Sequence, residues 1–418
     1  GPERLPDFKA ELAAWIEHTQ TKAYDGRTAP RIVLVTPIAF EDRSNTYDLP
    51  KGAVENARLA AYAQAMLEVA AEKRVAVVDA FGVTREWYSA PGAQPLTTNG
   101  CHLSEAGYRR FDPFLVDAIF GRTPVASTAD YESLRSAIVD KEWFWLNDYR
   151  MLNGVHAYGQ RWKPYGDKNY PEEIEKIRQM TRLRDEAIWK IAQGKASRLV
   201  VDDRQTRALT PVVSNYLGAI NYLEEEAAAK KFKVAAGYKI SLFASEKEFP
   251  LLQKPVQMSF DNRGRLWVAV MPSYPHYQPG AARPNDKLLI LEDTNHDGRA
   301  DKMTVFADGL HIPSGFELAP EGVYLAQQPN LVLLKDTDGD DRADERHIIM
   351  GGFDSHDTHH SISAFTGDPS GAFYMLEGRF LHSQVETPYG PIRCTDGGVF
   401  RFDPRSWRLE RFSQSDYN

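Results

Sequence analysis

The first 125 residues alternate between two textures of apolar spacing. Residues 5–22 carry Phe8, Leu12 and Ile16 at helical intervals, and an Ala-rich stretch over 53–73 repeats the period. Between and after them, "RIVLVTP" and "VAVVDAF" are unbroken apolar runs of strand length, the form of strands buried on both faces. A polar loop follows, and "SEAGYRRFDPFLVDAIFG" returns to helix with Ser104 as its cap. Helix, strand, helix, strand, helix predicts an open α/β domain of the three-layer, flavodoxin-like kind over residues 1–125.

Residues 126–195 are rich in Trp, Tyr and charge, and include a helix at "PEEIEKIRQMTRLRDEAIWKIA" with Pro171 in its first turn. This reads as a helical, aromatic-rich extension packed on the α/β domain. Residues 196–236 are a polar Lys- and Glu-rich linker, with a helix expected at "EEEAAAKKFK". From 237 the chain turns to short strands. "DNRGRLWVAV", "APEGVYLAQ" and "DPSGAFYMLE" share a Gly turn, an aromatic (Trp267, Tyr324, Tyr374) and an apolar strand. A second pattern, "KLLILEDTNHDGRAD" and "NLVLLKDTDGDDRAD", interleaves with it at a period of about 43 residues. That spacing predicts the first three or so blades of a β-propeller over residues 237–418, an incomplete ring.

Length and composition narrow this further. A chain of 418 residues implies two or three domains, and its net charge of −8 argues against a nucleic-acid partner. No apolar run is long enough to predict a transmembrane segment. Cys101 and Cys394 are the only cysteines, so a disulfide framework, a thiolate zinc site and a covalently held haem are all excluded for this chain. The opening Gly1-Pro2 and the closing "RFSQSDYN" suggest a piece of a longer protein.

The two Asp-rich loops supply oxygen donors at alternating positions: Asp293, Asn295, Asp297 and Asp301, then Asp336, Asp338, Asp340 and Asp344. An EF-hand needs a Glu at position 12, but Thr304 and His347 stand there, and the flanks are strand-like. The loops resemble the calcium loops of integrin-type propeller hairpins. That resemblance implies calcium, with the ninth-position Asp closing the cage and the carbonyls of Arg299 and Arg342 as further ligands. Solvated acidic turns are the alternative.

Three histidines, His356, His359 and His360, fall within five residues of one another just before a strand–turn–strand. Histidine is the side chain best suited to take a proton near neutral pH. Three so close cannot all point one way, so a three-histidine metal site from this stretch alone is not expected. The surrounding "H-x-x-x-x-F…G-x-x-G-x-[FY]-Y" resembles the base-bearing segment of soluble quinoprotein sugar dehydrogenases of the glucose/sorbosone type. The resemblance implies His360 as catalytic base, with His359 orienting it, and pyrroloquinoline quinone as hydride acceptor. Over residues 237–418, "ILEDTNHDGRADKMTVFADGLHIPSGFEL", "DTHHSISAF" and "ETPYGPIR" resemble the planctomycete-type membrane-bound dehydrogenases. Longer members carry a haem c domain, which implies an electron acceptor elsewhere in the parent protein and an extracytoplasmic location.

In the first domain, "TTNGCHLSEAGYRRF" resembles the last block of SGNH (GDSL-type) hydrolases. His102 is then the general base of an esterase. Asn99 stands where that family has an Asp, so a neutral acceptor replaces the charge that stabilises imidazolium. Three functions follow: an oxidoreductase acting on a carbohydrate or other alcohol through the propeller, an SGNH-type carbohydrate esterase with the propeller as substrate-binding module, or a non-catalytic glycan-binding scaffold.

Overall fold

The computed structural model describes residues 1–121, 128–211 and 222–414. The chain divides into two compact units. One holds Gly1–Val125 with the short segments Thr387–Gly390 and Asp403–Arg408; the other holds Ala126–Glu386, Pro391–Phe402 and Leu409–Asn418.

The first unit follows the predicted alternation. Helices α1 (Leu5–Gln20), α2 (Ala53–Lys73), α3 (Ala80–Ser89) and α4 (Glu105–Phe120) flank two short strands, β1 (Val33–Val35) and β2 (Ala76–Val78). The strands pair in parallel, Leu34 opposite Val77. Ile16, Leu34, Val69 and Ala70 form the core where α1 and α2 cover them. The sequence merges "VAVVDAF" into one strand. In the structure Asp79 ends it, because its carboxylate accepts from the Gly82 backbone N–H and caps α3. Ser104 caps α4 in the same way, as its position before "EAGY" predicts.

The second unit opens with α5 (Thr128–Tyr149) and α6 (Asp167–Ala192). Ion pairs Arg184–Asp140 and Arg178–Asp148, at 2.7 and 2.8 Å, register them antiparallel. Helix α6 starts four residues before Pro171, so the proline lies within it. A short helix, α7 (Glu225–Ala229), lies in the predicted linker helix.

Strands β3 (Pro255–Phe260), β4 (Leu266–Val270), β5 (Asp286–Glu292) and β6 (Lys302–Leu310) make one antiparallel sheet. Strands β7 (Phe316–Ala319), β8 (Gly322–Gln327), β9 (Asn330–Lys335) and β10 (Glu345–Gly351) make a second. The third joins β11 (Ser363–Gly367), β12 (Phe373–Glu377), β15 (Gly398–Asp403) and β16 (Arg408–Gln414), with the hairpin β13 (His382–Val385) and β14 (Ile392–Thr395) inserted between β12 and β15. Each sheet runs in chain order, strand next to strand. Trp267, Tyr324 and Tyr374 all fall on the second strand, as the repeat predicts.

The sheets stack through apolar faces. Trp267, Leu288, Ile290 and Phe306 of the first meet Phe316, Val323, Leu325 and Leu334 of the second. Tyr324 continues to Phe373 of the third, ring centroids 5.1 Å apart. The first sheet's other face is covered by Phe243 and Phe249, which is why β4 is buried along its whole length rather than alternating. Each fully buried Leu or Phe here contributes about 1.5–3 kcal/mol. Among the described residues the sheets do not close into a ring. No helix among them is long and apolar enough to cross a membrane.

One expectation is corrected. The aromatic extension belongs with the strands, in the second unit, where the sequence expectation attached it to the α/β domain. Its Trp143 and Phe144 pack on Tyr277, just after β4, and Arg283 pairs with Asp140. The physical reason is that the Trp-rich face of α5 finds an aromatic partner and a guanidinium there.

Candidate functional site

The histidine stretch lies between β10 and β11 and is anchored by the extension. Val155 N–H donates to the His356 carbonyl at 2.7 Å, and Asn153 N–H to that of Ser355 at 3.0 Å. The His356 ring lies against Gly154 and Gly159. A Cβ at Gly159 would sit 2.7 Å from its Nε2 and 3.0 Å from the Val155 Cα, so a side chain there would displace the ring. His356 therefore turns away from the other two histidines, as three residues so close must.

His359 and His360 close a 3₁₀ turn at Thr358–His360 and gather on Asp357. The His360 amide donates to the Asp357 carbonyl at 3.1 Å, and Gly378 N–H to the His360 carbonyl at 2.8 Å. The Asp357 side chain is fully buried. His359 Nδ1 lies 2.7 Å from its Oδ1, and His360 Nε2 lies 3.7 Å from its Oδ2. The His359 side chain is 43% exposed and that of His360 only 2%. Arg161, from the extension, reaches Asp357 Oδ2 at 3.4 Å and lies 4.9 Å over the Phe380 ring, against which His360 also packs.

Behind this group lies an aromatic and histidine layer. Tyr170 stacks between His156 and His276, at 6.2 and 5.3 Å. His276 Nε2 is 2.9 Å from the buried Glu173 carboxylate. Burial holds His156 below its ordinary range, partly offset by the Asp357 charge, and pushes His311 down to about 4. Burial lifts the Tyr170 phenol to about 12. His311 and Tyr170 therefore stay neutral near pH 7.

Asp357, Arg161 and Phe380 escaped the sequence reading. The Asp was legible: it stands two residues before His359 and three before His360. Arg161 carries no local signal, since only the fold brings "YGQRW" to the histidine turn.

In the first unit, Asn99 is fully buried and His102 half-buried beside it. Asn99 Oδ1 faces His102 Nδ1 at 3.1 Å and also accepts from the His102 amide at 3.1 Å. The loop is fixed by Glu41, whose carboxylate accepts from the Leu96 and Thr97 amides. Asn99 thus fixes the imidazole through Nδ1 but supplies no charge.

The acidic loops join β5 to β6 and β9 to β10. Asp293 accepts from the Asp297 and Gly298 amides, and Asp336 from those of Gly339, Asp340 and Asp341. Asn295 and Asp297 accept from the amides two residues on, as do Asp338 and Asp340, the last from Arg342. Asp301 and Asp344 each hold a threonine, Thr294 and Thr337, and those hydrogen bonds keep both carboxyls below the usual range. Asp336, Asp338 and Asp340 bring carboxylate oxygens within 4.8 Å of one another. Arg299 pairs with Glu248 at 2.7 Å. Two positions in each loop are left-handed: His296 and Gly298 at φ 63° and 87°, Gly339 and Asp341 at 81° and 64°. Arg265 holds the Asp341 carboxylate at 2.8 Å.

Residues 224–418 match a family described as a domain of unknown function (DUF7133). No curated protein matches the chain. Among solved structures, a luciferin-regenerating enzyme is similar at 14% identity and a TM-score of 0.24, over 34% of this chain and 44% of that one. The match thus spans less than half of that enzyme's length.

Proposed function

We propose that the second unit is the front of a propeller-type oxidoreductase that takes the hydroxyl proton of a sugar or other alcohol, outside the cytoplasm, at the histidine pair on Asp357. The observation that carries this reading is the contrast within the pair: a fully buried carboxylate 2.7 Å from Nδ1 of a ring that is itself 43% exposed. A buried negative charge this close to the ring stabilises the imidazolium that forms when the ring takes a proton. His359 therefore takes the proton, and His360 packs beneath it against Phe380. This reverses the order that the resemblance implies, in which His360 is the base.

The resemblance assigns the hydride to pyrroloquinoline quinone, a planar polyanion that needs a slot and several cations. About His359 the described residues offer Arg161 and Arg379, both over the Phe380 ring. The cavities of about 680 and 400 Å³ are lined elsewhere, by Asp261, Arg265 and Glu317 in one and Asp308 and Arg346 in another. These residues do not assemble a quinone site, and no step is routed through one. The carboxylates of Asp336, Asp338 and Asp340 do fit a hard cation such as calcium, which would staple the β9–β10 hairpin.

The test is oxidation of a panel of sugars and alcohols by the protein with calcium present and an added redox dye as the two-electron acceptor. A rate lost in His359→Ala and reduced in His360→Ala supports the reading; oxidation that His359→Ala leaves intact overturns it. Chelator is expected to lower the melting temperature and calcium to restore it.

A further inference from the structure

The approach of His359 to Asp357 has an unusual form. At 2.7 Å the two atoms are at bonding distance, yet neither Asp357 oxygen takes a hydrogen bond, although the side chain is fully buried. The imidazole N–H direction therefore does not run along the line joining them. Two donors that are close but not aimed at each other are arranged as ligands around a third point are. A buried carboxylate without hydrogen bonds costs several kcal/mol unless a cation compensates it. Arg161 lies at 3.4 Å with a side chain 41% exposed, which offsets part of that cost.

We infer that Asp357, His359 and His360 form a binding site for a divalent transition-metal ion. One ligand atom from each, a carboxylate oxygen and two ring nitrogens, lies within 4.8 Å of the others. Ligands about 2.1 Å from an ion stand about 3.0–3.4 Å apart in octahedral or tetrahedral geometry. Asp357 turns one oxygen to each ring, Oδ1 at 2.7 Å from His359 Nδ1 and Oδ2 at 3.7 Å from His360 Nε2, so small adjustments bring the set to that spacing. Two imidazoles and one carboxylate on one side of an ion select zinc, iron(II) or a neighbouring metal, and leave positions open for a ligand. The turn at Thr358–His360, pinned by Gly378 and by the extension through Ser355 and His356, supplies the rigidity. Calcium, held by oxygen donors, is not the ion expected here.

The inference rests on the location proposed above and not on the reaction proposed there. The two readings concern different states: without the ion, the His359 ring takes the proton as proposed above; with it, Nδ1 would serve as a ligand and the ion would acidify a bound hydroxyl.

The experiment is titration of the purified, chelator-treated protein with cobalt(II) and zinc(II), read by calorimetry and by visible cobalt absorption, with no activity assay. One ion per chain is expected, displaced by zinc, with affinity reduced more than about 100-fold in His359→Ala and Asp357→Asn. His356→Ala, whose ring faces Gly154 and Gly159, is expected to bind as the parent does. His359 is half-exposed, so its variant tests the site even where Asp357→Asn fails to fold. Absence of uptake, or uptake that His359→Ala leaves unchanged, overturns the inference and leaves an ion pair only. The proton-abstraction reading then stands or falls on its own assay.

Discussion

Two histidines in this molecule are held in nearly the same way and differ in one atom of their holders. In the first unit Asn99 presents an amide oxygen to Nδ1 of His102 at 3.1 Å; in the second, Asp357 presents a carboxylate oxygen to Nδ1 of His359 at 2.7 Å. Both holders are fully buried and both rings are partly open. The difference is charge, and charge decides what each unit needs around its site. Asn99 is met by its near neighbours in the chain, the Cys101 and His102 amides and the Cys101 thiol. Asp357 draws in a guanidinium from a helical segment far away in sequence and two imidazoles from its own turn. A charged holder recruits structure; a neutral one does not.

The comparison can be broken most directly at its charged end. Asp357→Ala removes a fully buried charge, and is expected to change stability more than any neutral replacement at Asn99 does, read from urea unfolding. Asn99→Ala removes a neutral acceptor, with an expected loss of about 1–2 kcal/mol. Equal losses would show that charge is not what distinguishes the sites.

Glu377 sharpens the point, because it is a buried carboxyl with no cation among its causes of shift. Burial, helped by the Asp354 charge, pushes its pKa to about 8, against the bond from Ser383. The folded protein then holds a proton that the unfolded chain releases near its ordinary value. Its contribution to stability is full below about 4.5 and is lost as pH rises through about 8. Glu377→Gln should therefore flatten the fall in stability between pH 5 and 8, and an unchanged slope would refute the assignment.

The smallest expected effect concerns His102 itself. With water as the attacking group and His102 as its base, Asn99→Asp is expected to raise hydrolysis of an aryl acetate by the first unit, and His102→Ala to lower it. Activity indifferent to both would mark the loop as structural only.

The strand repeat announced itself because each sheet follows chain order, so its local signals, the Gly turn and the aromatic of the second strand, recur at one spacing. Helix α2 was legible from its period. The seat of the extension was not, because a Trp-rich helix shows that it packs without showing on what. The histidine turn was legible as chemistry. Which of its two adjacent rings faces outward was not, because that depends on a turn and on Phe380, which follows twenty residues later.

The paired acidic loops carry one more lesson, about engineering. Each bends through two left-handed positions, and each places glycine at a different one of them, leaving a side chain to bear the strain at the other. Either copy thus records the remedy for its twin. Borrowing across the duplication, His296→Gly in the first loop gives a hairpin relaxed at both bends, worth up to about 1 kcal/mol. The protein is its own two-member alignment, and the hairpin it never combined can be written by comparing it with itself.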